Sequence, residues 1–295
     1  MLNKYEAFIR TVELGSLSKA ADDLGYTQSG VSHMIRSLEE ELGFKILIRS
    51  RAGIRLTDAG EQIYPAICGM MDHHEQLKQI VYALRGMNAG TVRIGTFTSV
   101  AVHWLPDIIK EFQQDFPHIQ FKLLNGDYYD VEKWLRKDAV DVGFVHIPVS
   151  DRYHCIPLLQ DRLLAILPQD HPLTQGKSFP IAYAAKEPFI SLPDSSAQDV
   201  KQVLKAANVS PKIKFTTKDD YAILSMVEHG LGMSIVPELL LTGHSQNIAA
   251  LELDPPASRT IALAFRKQNS AGPATGKFID YICQWVARRY PHHLL

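Results

Sequence analysis

The chain has 295 residues, 46% of them apolar, with 31 basic side chains set against 32 acidic ones. That length favours two or three domains over one, and the balanced charge neither announces nor excludes a nucleic-acid partner, so local charge must decide. Cys68, Cys155 and Cys283 are widely spaced with no C-x-x-C pair, which argues against a metal or disulfide framework and suits a reducing compartment. The N-terminus lacks the basic segment and apolar core of a signal peptide, and no apolar run is long enough to span a bilayer. A cytoplasmic protein with no membrane association is expected.

From Met1 to about Thr57 the pattern is short helices followed by a small hairpin. Leu2, Tyr5, Ala7, Phe8, Ile9, Val12 and Leu14 give a first apolar face, and Ser18 can cap a second helix carrying Ala20, Ala21 and Leu24. Gly25 stands where that helix should stop, and Thr27 or Gln28 opens the next. In "LGYTQSGVSHMIRSLEEELG", residues 24 to 43, two faces share one helix. Val31, Ile35, Leu38 and Leu42 form a core stripe, while Ser29, Ser32, His33 and Arg36 recur at i, i+3, i+4 and i+7 on another side. These are hydrogen-bonding groups rather than an ordinary solvated Glu/Lys mixture. Two short helices joined by a glycine-containing turn, the second with such a face, make a helix-turn-helix whose second helix fits the DNA major groove.

"FKILIRSRAGIRLT", residues 44 to 57, follows as a two-stranded wing turning at Ala52 and Gly53. It carries Lys45, Arg49, Arg51 and Arg55 and no acid, although the first sixty residues hold eight basic and eight acidic side chains. Positive charge placed at the wing suits phosphate contacts, which set register and affinity. A solubilising hairpin tip is the alternative reading, and its position beside the helix-turn-helix favours the phosphate role. Thr57 and Asp58 can cap a long helix from about Gly60 to Met87, in which Ile63, Ile67, Met70, His74, Leu77, Val81 and Leu84 form a heptad seam. A seam of that length needs a partner helix, most simply its own copy, which sets two recognition helices about 34 Å apart. His74 interrupts the seam as a wet or partly exposed position. Gly86, Asn88 and Gly90 supply a hinge.

Beyond the hinge, strand-like runs ("TVRIGTF", "IQFKLLNG", "VDVGFVHI", "RLLAILP", "PFISLP", "KIKFTT", "GMSIVP", "RTIALAFRK") alternate with helical stretches around 102 to 115, 129 to 137, 197 to 207, 219 to 229 and 274 to 289. The alternation predicts α/β units with mostly parallel sheets, whose strand ends face a crevice lined by helix N-termini.

These residues resemble the LysR-type transcriptional regulator family. The span from Ala7 to Gly60 carries its A-A-x-x-L, Q-S-x-V-S-x-x-I-x-x-L-E, L-G and L-T-x-A-G elements in order, and weaker similarity continues through "GTVRIGTF", Leu105-Pro106, "FPHIQFKLLNG", "DVGFVH", "HPL" and "GLGMSIVP". The resemblance implies an α+β multidomain protein: a winged helix-turn-helix over 1–58, a linker or dimerisation helix over 59–89, and an effector-binding domain over 90–295. That last domain would hold two periplasmic-binding-protein-like subdomains hinged by crossing strands, the first about 90–161 plus 268–295 and the second about 162–267. It also implies a sequence-specific regulator, usually a homotetramer, that binds promoter DNA, answers a small-molecule effector of unknown identity and acts on RNA polymerase.

Carried over by position, the resemblance assigns DNA contacts to Thr27, Gln28, Ser29, Ser32, His33 and Arg36, and wing contacts to Arg49, Arg51 and Arg55. Arg51 stands where relatives often have a small or polar residue. Gln28 suits adenine and Arg36 suits guanine or a phosphate. For the effector it assigns Thr98, Ser99, Tyr128, His146, Pro193, Asp194 and Ser195. Tyr128 departs from the small hydroxyl residue frequent there, which points to a smaller or more aromatic pocket. His146 could offer charge to a carboxylate or be a neutral hydrogen-bonding histidine at a strand end.

Rival readings have less behind them. No G-x-S-x-G elbow, P-loop, H-E-x-x-H or G-x-G-x-x-G follows a strand, and the His73-His74 and His292-His293 pairs lack ligand spacing, so neither an enzyme nor a metal or organic cofactor is expected. A solute receptor would explain the cleft but not the helix-turn-helix. A thiol redox sensor on the same fold would need Cys155 and Cys283 with Cα atoms within about 7 Å.

Overall fold

A computed structural model describes residues 2–50, 53–84, 89–193, 198–243, 247–266 and 272–291, with the backbone alone for Ser50, Gln76, Gln79 and Ala83. The chain divides into two compact units, Met1–Arg85 and Gly86–Leu295.

In the first unit, helices α1 (Leu2–Leu14), α2 (Leu17–Leu24) and α3 (Gln28–Leu42) precede strands β1 (Leu47–Ser50) and β2 (Gly53–Leu56) and the long helix α4 (Asp58–Leu84). Phe8, Ala20, Ala21, Val31, Ile35, Leu38 and Ile46 close one core, and the paired alanines let α2 approach its neighbours. Gly15 ends α1 in the left-handed region, which leaves Ser16 extended and able to accept from the Lys19 N–H. Ser16 is therefore the cap of α2, and Ser18, expected in that role, lies inside the helix. Thr27 caps α3, accepting from the Gly30 N–H at 3.1 Å. Thr57 caps α4 through the Gly60 N–H at 2.9 Å while donating to the Lys45 carbonyl. Any side chain on Gly60 would run into the Ile46 carbonyl, so glycine lets the start of α4 pass the wing. Ile63 and Ile67 of the heptad seam join this core, and Met70, Leu77 and Leu84 are exposed.

The second unit opens with β3 (Ala89–Thr96), α5 (Thr98–His103), α6 (Leu105–Asp115), β4 (His118–Asn125), α7 (Tyr128–Arg136) and β5 (Val142–His146). It continues with β6 (Tyr153–Pro168), β7 (Phe179–Pro180), β8 (Pro188–Ser191), α8 (Gln198–Ala206), β9 (Lys212–Thr216) and α9 (Asp220–Glu228). Last come β10 (Ser234–Pro237), β11 (Ile248–Arg266) and α10 (Pro273–Arg289). The helix expected over 102 to 115 breaks at Trp104, because Pro106 supplies no N–H and restricts the residue before it.

The main sheet runs β10-β6-β11-β5-β3-β4 with β7 beside β11, and β8 pairs β9 separately. Pairs β3–β4, β3–β5 and β8–β9 are parallel, as the alternation of strands and helices predicted. The two longest strands depart from that expectation: β6 and β11 are antiparallel to each other, as are β11 to β5 and β6 to β10. Each serves two cores. Leu158 and Leu159 of β6 and Ile261 and Leu263 of β11 pack with Trp104, Phe112, Phe144 and Phe278. Leu163 and Ala165 of β6 and Leu253 of β11 pack with Phe179, Phe189 and Met233. The unit is thus two lobes strung on one antiparallel ribbon that crosses near Asp161 and Arg259. Residues 260–266, assigned from sequence to the second lobe, pack in the first because the crossing comes earlier in β11.

Candidate functional site

The first site is the outer face of α3. Val31, Ile35 and Leu38 are buried on the inner face, while Gln28, Ser29, His33 and Arg36 are exposed on the other. The Thr27 hydroxyl is engaged in capping and lies 3.1 Å from the Ser29 hydroxyl. Ser32 is half-buried and accepts from Arg49 Nη2 at 3.2 Å, so the wing is tied to the helix at that point. Arg55 is exposed on β2. Arg51 lies outside the described residues.

A second tie sits under this face. The buried Glu39 accepts from Lys45 Nζ at 2.7 Å and from the Ile46 and Leu47 N–H groups at 3.1 and 3.4 Å. Burial alone would raise its pKa, but Lys45 and the two amides outweigh it and hold the carboxyl below its usual range. Stability from this group is therefore present at neutral pH and lost as pH falls through the lowered folded-state value. Glu39→Ala should cost the unit about 2 kcal/mol by orphaning two amides, read as amide exchange about thirtyfold faster in α3 and the wing. The deficit should shrink on acidification; one that persisted at low pH would mean that the ionised carboxylate contributes nothing.

The second site is a cavity of about 290 Å³ inside the second unit, lined by both lobes. Thr98 and Ser99 open α5, the 125–128 turn leads into α7, Asp199 and Asp220 stand in the first turns of α8 and α9, and Arg259 rises from β11. Arg259 organises the centre. Its Nε and Nη2 donate to Asp161 Oδ2 at 2.9 and 2.7 Å, Nη1 donates to the Tyr128 hydroxyl at 2.7 Å, and Nη2 also reaches Ser99 Oγ at 2.7 Å. The Phe97 ring lies 5.0 Å from the guanidinium carbon. Asp161 Oδ1 accepts from the Leu239 N–H, and Tyr128 donates to Asp199 Oδ2 at 3.1 Å. Burial opposes the charge on Arg259, but Tyr128, Asp161 and Asp199 offset it and raise its pKa. Burial likewise pushes the Tyr128 hydroxyl up. Contacts across the cleft between the lobes include Tyr128 to Asp199, Tyr221 to His103 Nε2 at 3.2 Å, and Asp220 to Thr98.

Of the seven effector residues read from sequence, the structure brings Thr98, Ser99 and Tyr128 to the cavity wall. The Ser99 and Tyr128 oxygens face Arg259 rather than open space. His146 is absent from the lining and lies behind Tyr128, ring to ring at 5.6 Å. Burial, with Arg259 nearby, lowers its pKa, and its Nδ1 has no partner among the described residues. A charge from His146 to a ligand carboxylate is ruled out by that placement. Pro193 is not in the wall, and Asp194 and Ser195 lie outside the described residues.

Sequence reading missed Arg259, Asp161, Asp199 and Asp220. Asp161 carried a weak signal, one of three polar residues, with Gln160 and Arg162, set between the apolar runs Leu158–Leu159 and Leu163–Leu167. Asp199 and Asp220 read as ordinary first-turn acids. As for the cysteines, Cys155 and Cys283 pack against different clusters, and burial beside Asp280 raises the Cys283 thiol, which disfavours its thiolate.

Among the described residues no helix is long and apolar enough to cross a membrane, and no group of metal-ligating side chains is found. The model of the bacterial regulatory helix-turn-helix proteins of the lysR family matches residues 2–61, and that of the LysR substrate binding domain matches residues 85–287. An uncharacterized HTH-type transcriptional regulator of Bacillus subtilis, YvbU, is 30% identical over 95% of this chain and 96% of its own length. Full-length OxyR C199D from Pseudomonas aeruginosa superposes with a TM-score of 0.75 at 21% identity, over 97% of this chain and 94% of that one. CbnR in complex with its target DNA superposes with a TM-score of 0.69 at 21% identity, over 96% of this chain and 99% of that one. Two family models that together span nearly the whole chain, and a relative aligned from end to end, settle its membership: the chain belongs to the LysR family of transcriptional regulators, with a DNA-binding helix-turn-helix and an effector-binding domain.

Proposed function

We propose that this regulator reads promoter DNA with Gln28, Ser29, Ser32, His33 and Arg36 of α3, with Arg49 and Arg55 of the wing on the flanking phosphates. The observation that carries this is the division of α3 into an inner face with Val31, Ile35 and Leu38 buried and an outer hydrogen-bonding face on which Gln28, Ser29, His33 and Arg36 are exposed. Thr27 acts mainly by fixing the start of the helix. A small-molecule effector occupies the cleft and shifts the two lobes relative to each other. Its differential affinity for the two arrangements sets how far the equilibrium moves. Chains pair through α4 and assemble as tetramers in the cytoplasm, where they act on RNA polymerase. Under this proposal neither a cofactor nor a catalytic role is assigned to the protein, and the central cation of the cleft, Arg259, is held by Asp161.

The direct test is Arg36→Ala on operator and on random DNA at fixed salt. A base contact predicts a loss of roughly 10- to 100-fold on the operator with little change on random sequence. Equal losses on both would reassign Arg36 to the phosphate backbone.

A further inference from the structure

We infer that Tyr128 is a latch between the two lobes: its hydroxyl, shared by Arg259 of the crossing ribbon and Asp199 of the second lobe, holds the lobes together with the chain's own side chains. The inference rests on the effector reading of the cleft given above and names the contact that an effector has to take over.

The latch is built outwards from the first lobe. Tyr128 is the first residue of α7, and the closed capping box of Asp127 and Asp130 fixes where that helix begins. Its ring packs in the core of the first lobe, edge to face with Phe97 at 5.1 Å and against His146 at 5.6 Å. A ring held on two sides presents its hydroxyl at one point. There Arg259 Nη1 donates to it at 2.7 Å, and it donates to Asp199 Oδ2 at 3.1 Å. The cation polarises the O–H group and strengthens its donation to a carboxylate. Burial pushes the phenol up, so it keeps the proton that the bond to Asp199 requires. On the second lobe, Asp199 Oδ1 accepts from the Val200 N–H at 2.8 Å, which pins the carboxylate with Oδ2 towards Tyr128.

Tyr128 and Asp199 are only 7% and 6% exposed, and both contribute to the wall of the cavity. Their bond is buried and made to a charged group, whereas the bond between Tyr221 and His103 is partly exposed. The buried bond is therefore the stronger hold on the lobes. Separating the lobes leaves Tyr128 and Asp199 without each other. An effector that takes over either partner competes with the latch, and its apparent affinity is scaled by the fraction of chains already open.

The test reads opening in the full-length chain through a thiol at Ser234, which lines the cavity and is 2% exposed. Ser234→Cys is combined with Cys68→Ser, Cys155→Ser and Cys283→Ser, and its reaction with a chromogenic aromatic disulfide is followed with and without Tyr128→Phe. That substitution keeps the ring and removes only the hydroxyl, so labelling should accelerate roughly 10- to 100-fold, as expected for one lost hydrogen bond to a charged group. The rate should stay nearly flat in dilute urea, because separating two lobes exposes little surface, whereas labelling through unfolding climbs steeply. Trp104, Trp134 and Trp285 all lie in the second unit, so tryptophan fluorescence follows its unfolding and checks that each variant is folded. Asp199→Ala should accelerate labelling as Tyr128→Phe does, and the double variant should label no faster than the faster single one.

Unchanged labelling in Tyr128→Phe would overturn the latch and leave the effector reading of the cleft standing, since no ligand enters the assay. Acceleration that climbs steeply with urea would also overturn it, making Tyr128 a core residue of the first lobe alone. Fully additive effects of the two substitutions would place the holding contact elsewhere and overturn it as well.

Discussion

Replacing Arg259 with methionine is expected to destabilise the second unit by roughly 3–5 kcal/mol. The cost does not come from losing a cation as such. It comes from leaving Asp161 buried with only the Leu239 N–H as a donor, and from stripping Ser99 and Tyr128 of their donor in the same place. In the native protein, burial pushes Asp161 up and the guanidinium pulls it back down. Without Arg259 that pull is gone and the folded-state pKa of Asp161 rises further above its unfolded value. A carboxyl raised in the folded state favours folding below its unfolded pKa and loses that contribution as pH climbs through the folded value. The deficit of Arg259→Met should therefore be largest at neutral pH and shrink as the solution is acidified. Urea unfolding followed by tryptophan fluorescence at several pH values measures this in the full-length protein. Adding Asp161→Leu should recover much of the loss, because removing both members of a buried pair costs far less than removing one. A double variant no more stable than the single would show that the guanidinium matters through Ser99 and Tyr128 instead.

The contrast between the two sites explains what was legible from sequence. The DNA-reading face lies within one helix, so the core stripe of Val31, Ile35 and Leu38 and the polar set opposite follow from helical periodicity. The wing is local in the same sense, since β1 and β2 are separated by two residues in sequence and pair from Leu47 to Leu56. The centre of the cleft is not local: Arg259 and Asp161 are 98 residues apart and meet because β6 and β11 pair antiparallel on both sides of a bulge at 253–256 in β11, placing Arg259 opposite Asp161. Only the apolar halves of those strands, "RLLAILP" and "RTIALAFRK", stood out as strands. Their other halves, 153–161 and 248–258, have no clean period and are broken by Pro157, Pro255 and Pro256, so they merged with loops and the antiparallel ribbon and the crossing at Arg259 were hidden. His146 was misplaced for a related reason. A strand end marks the rim of a cleft in general, but Tyr128, larger than the residue usual at its position, fills the space in front of it.

Introducing Leu77→Asp and Leu84→Asp together should abolish pairing of chains through α4 at micromolar concentration. These side chains are 57% and 83% exposed on a helix whose first seam residues, Ile63 and Ile67, are already packed into the helix-turn-helix core. An apolar seam left in water by its own chain is stabilised by a second copy, and a twofold pairing uses every position twice. At about 1.5 kcal/mol or more for each leucine buried, the two positions on both chains contribute roughly 6 kcal/mol, over a thousandfold in the dissociation constant. Two aspartates facing their counterparts add repulsion. Sedimentation velocity should show the tetramer reduced to a dimer, because the second surface that a tetramer needs is untouched, with the tryptophan-monitored unfolding of the second unit unmoved. Operator affinity should fall with it, because two recognition helices bind one palindromic site only when α4 holds them one DNA turn apart. Ile67→Asp would not serve, since a charge there unfolds the first unit itself. A double aspartate variant that stays tetrameric would assign pairing to a surface other than α4.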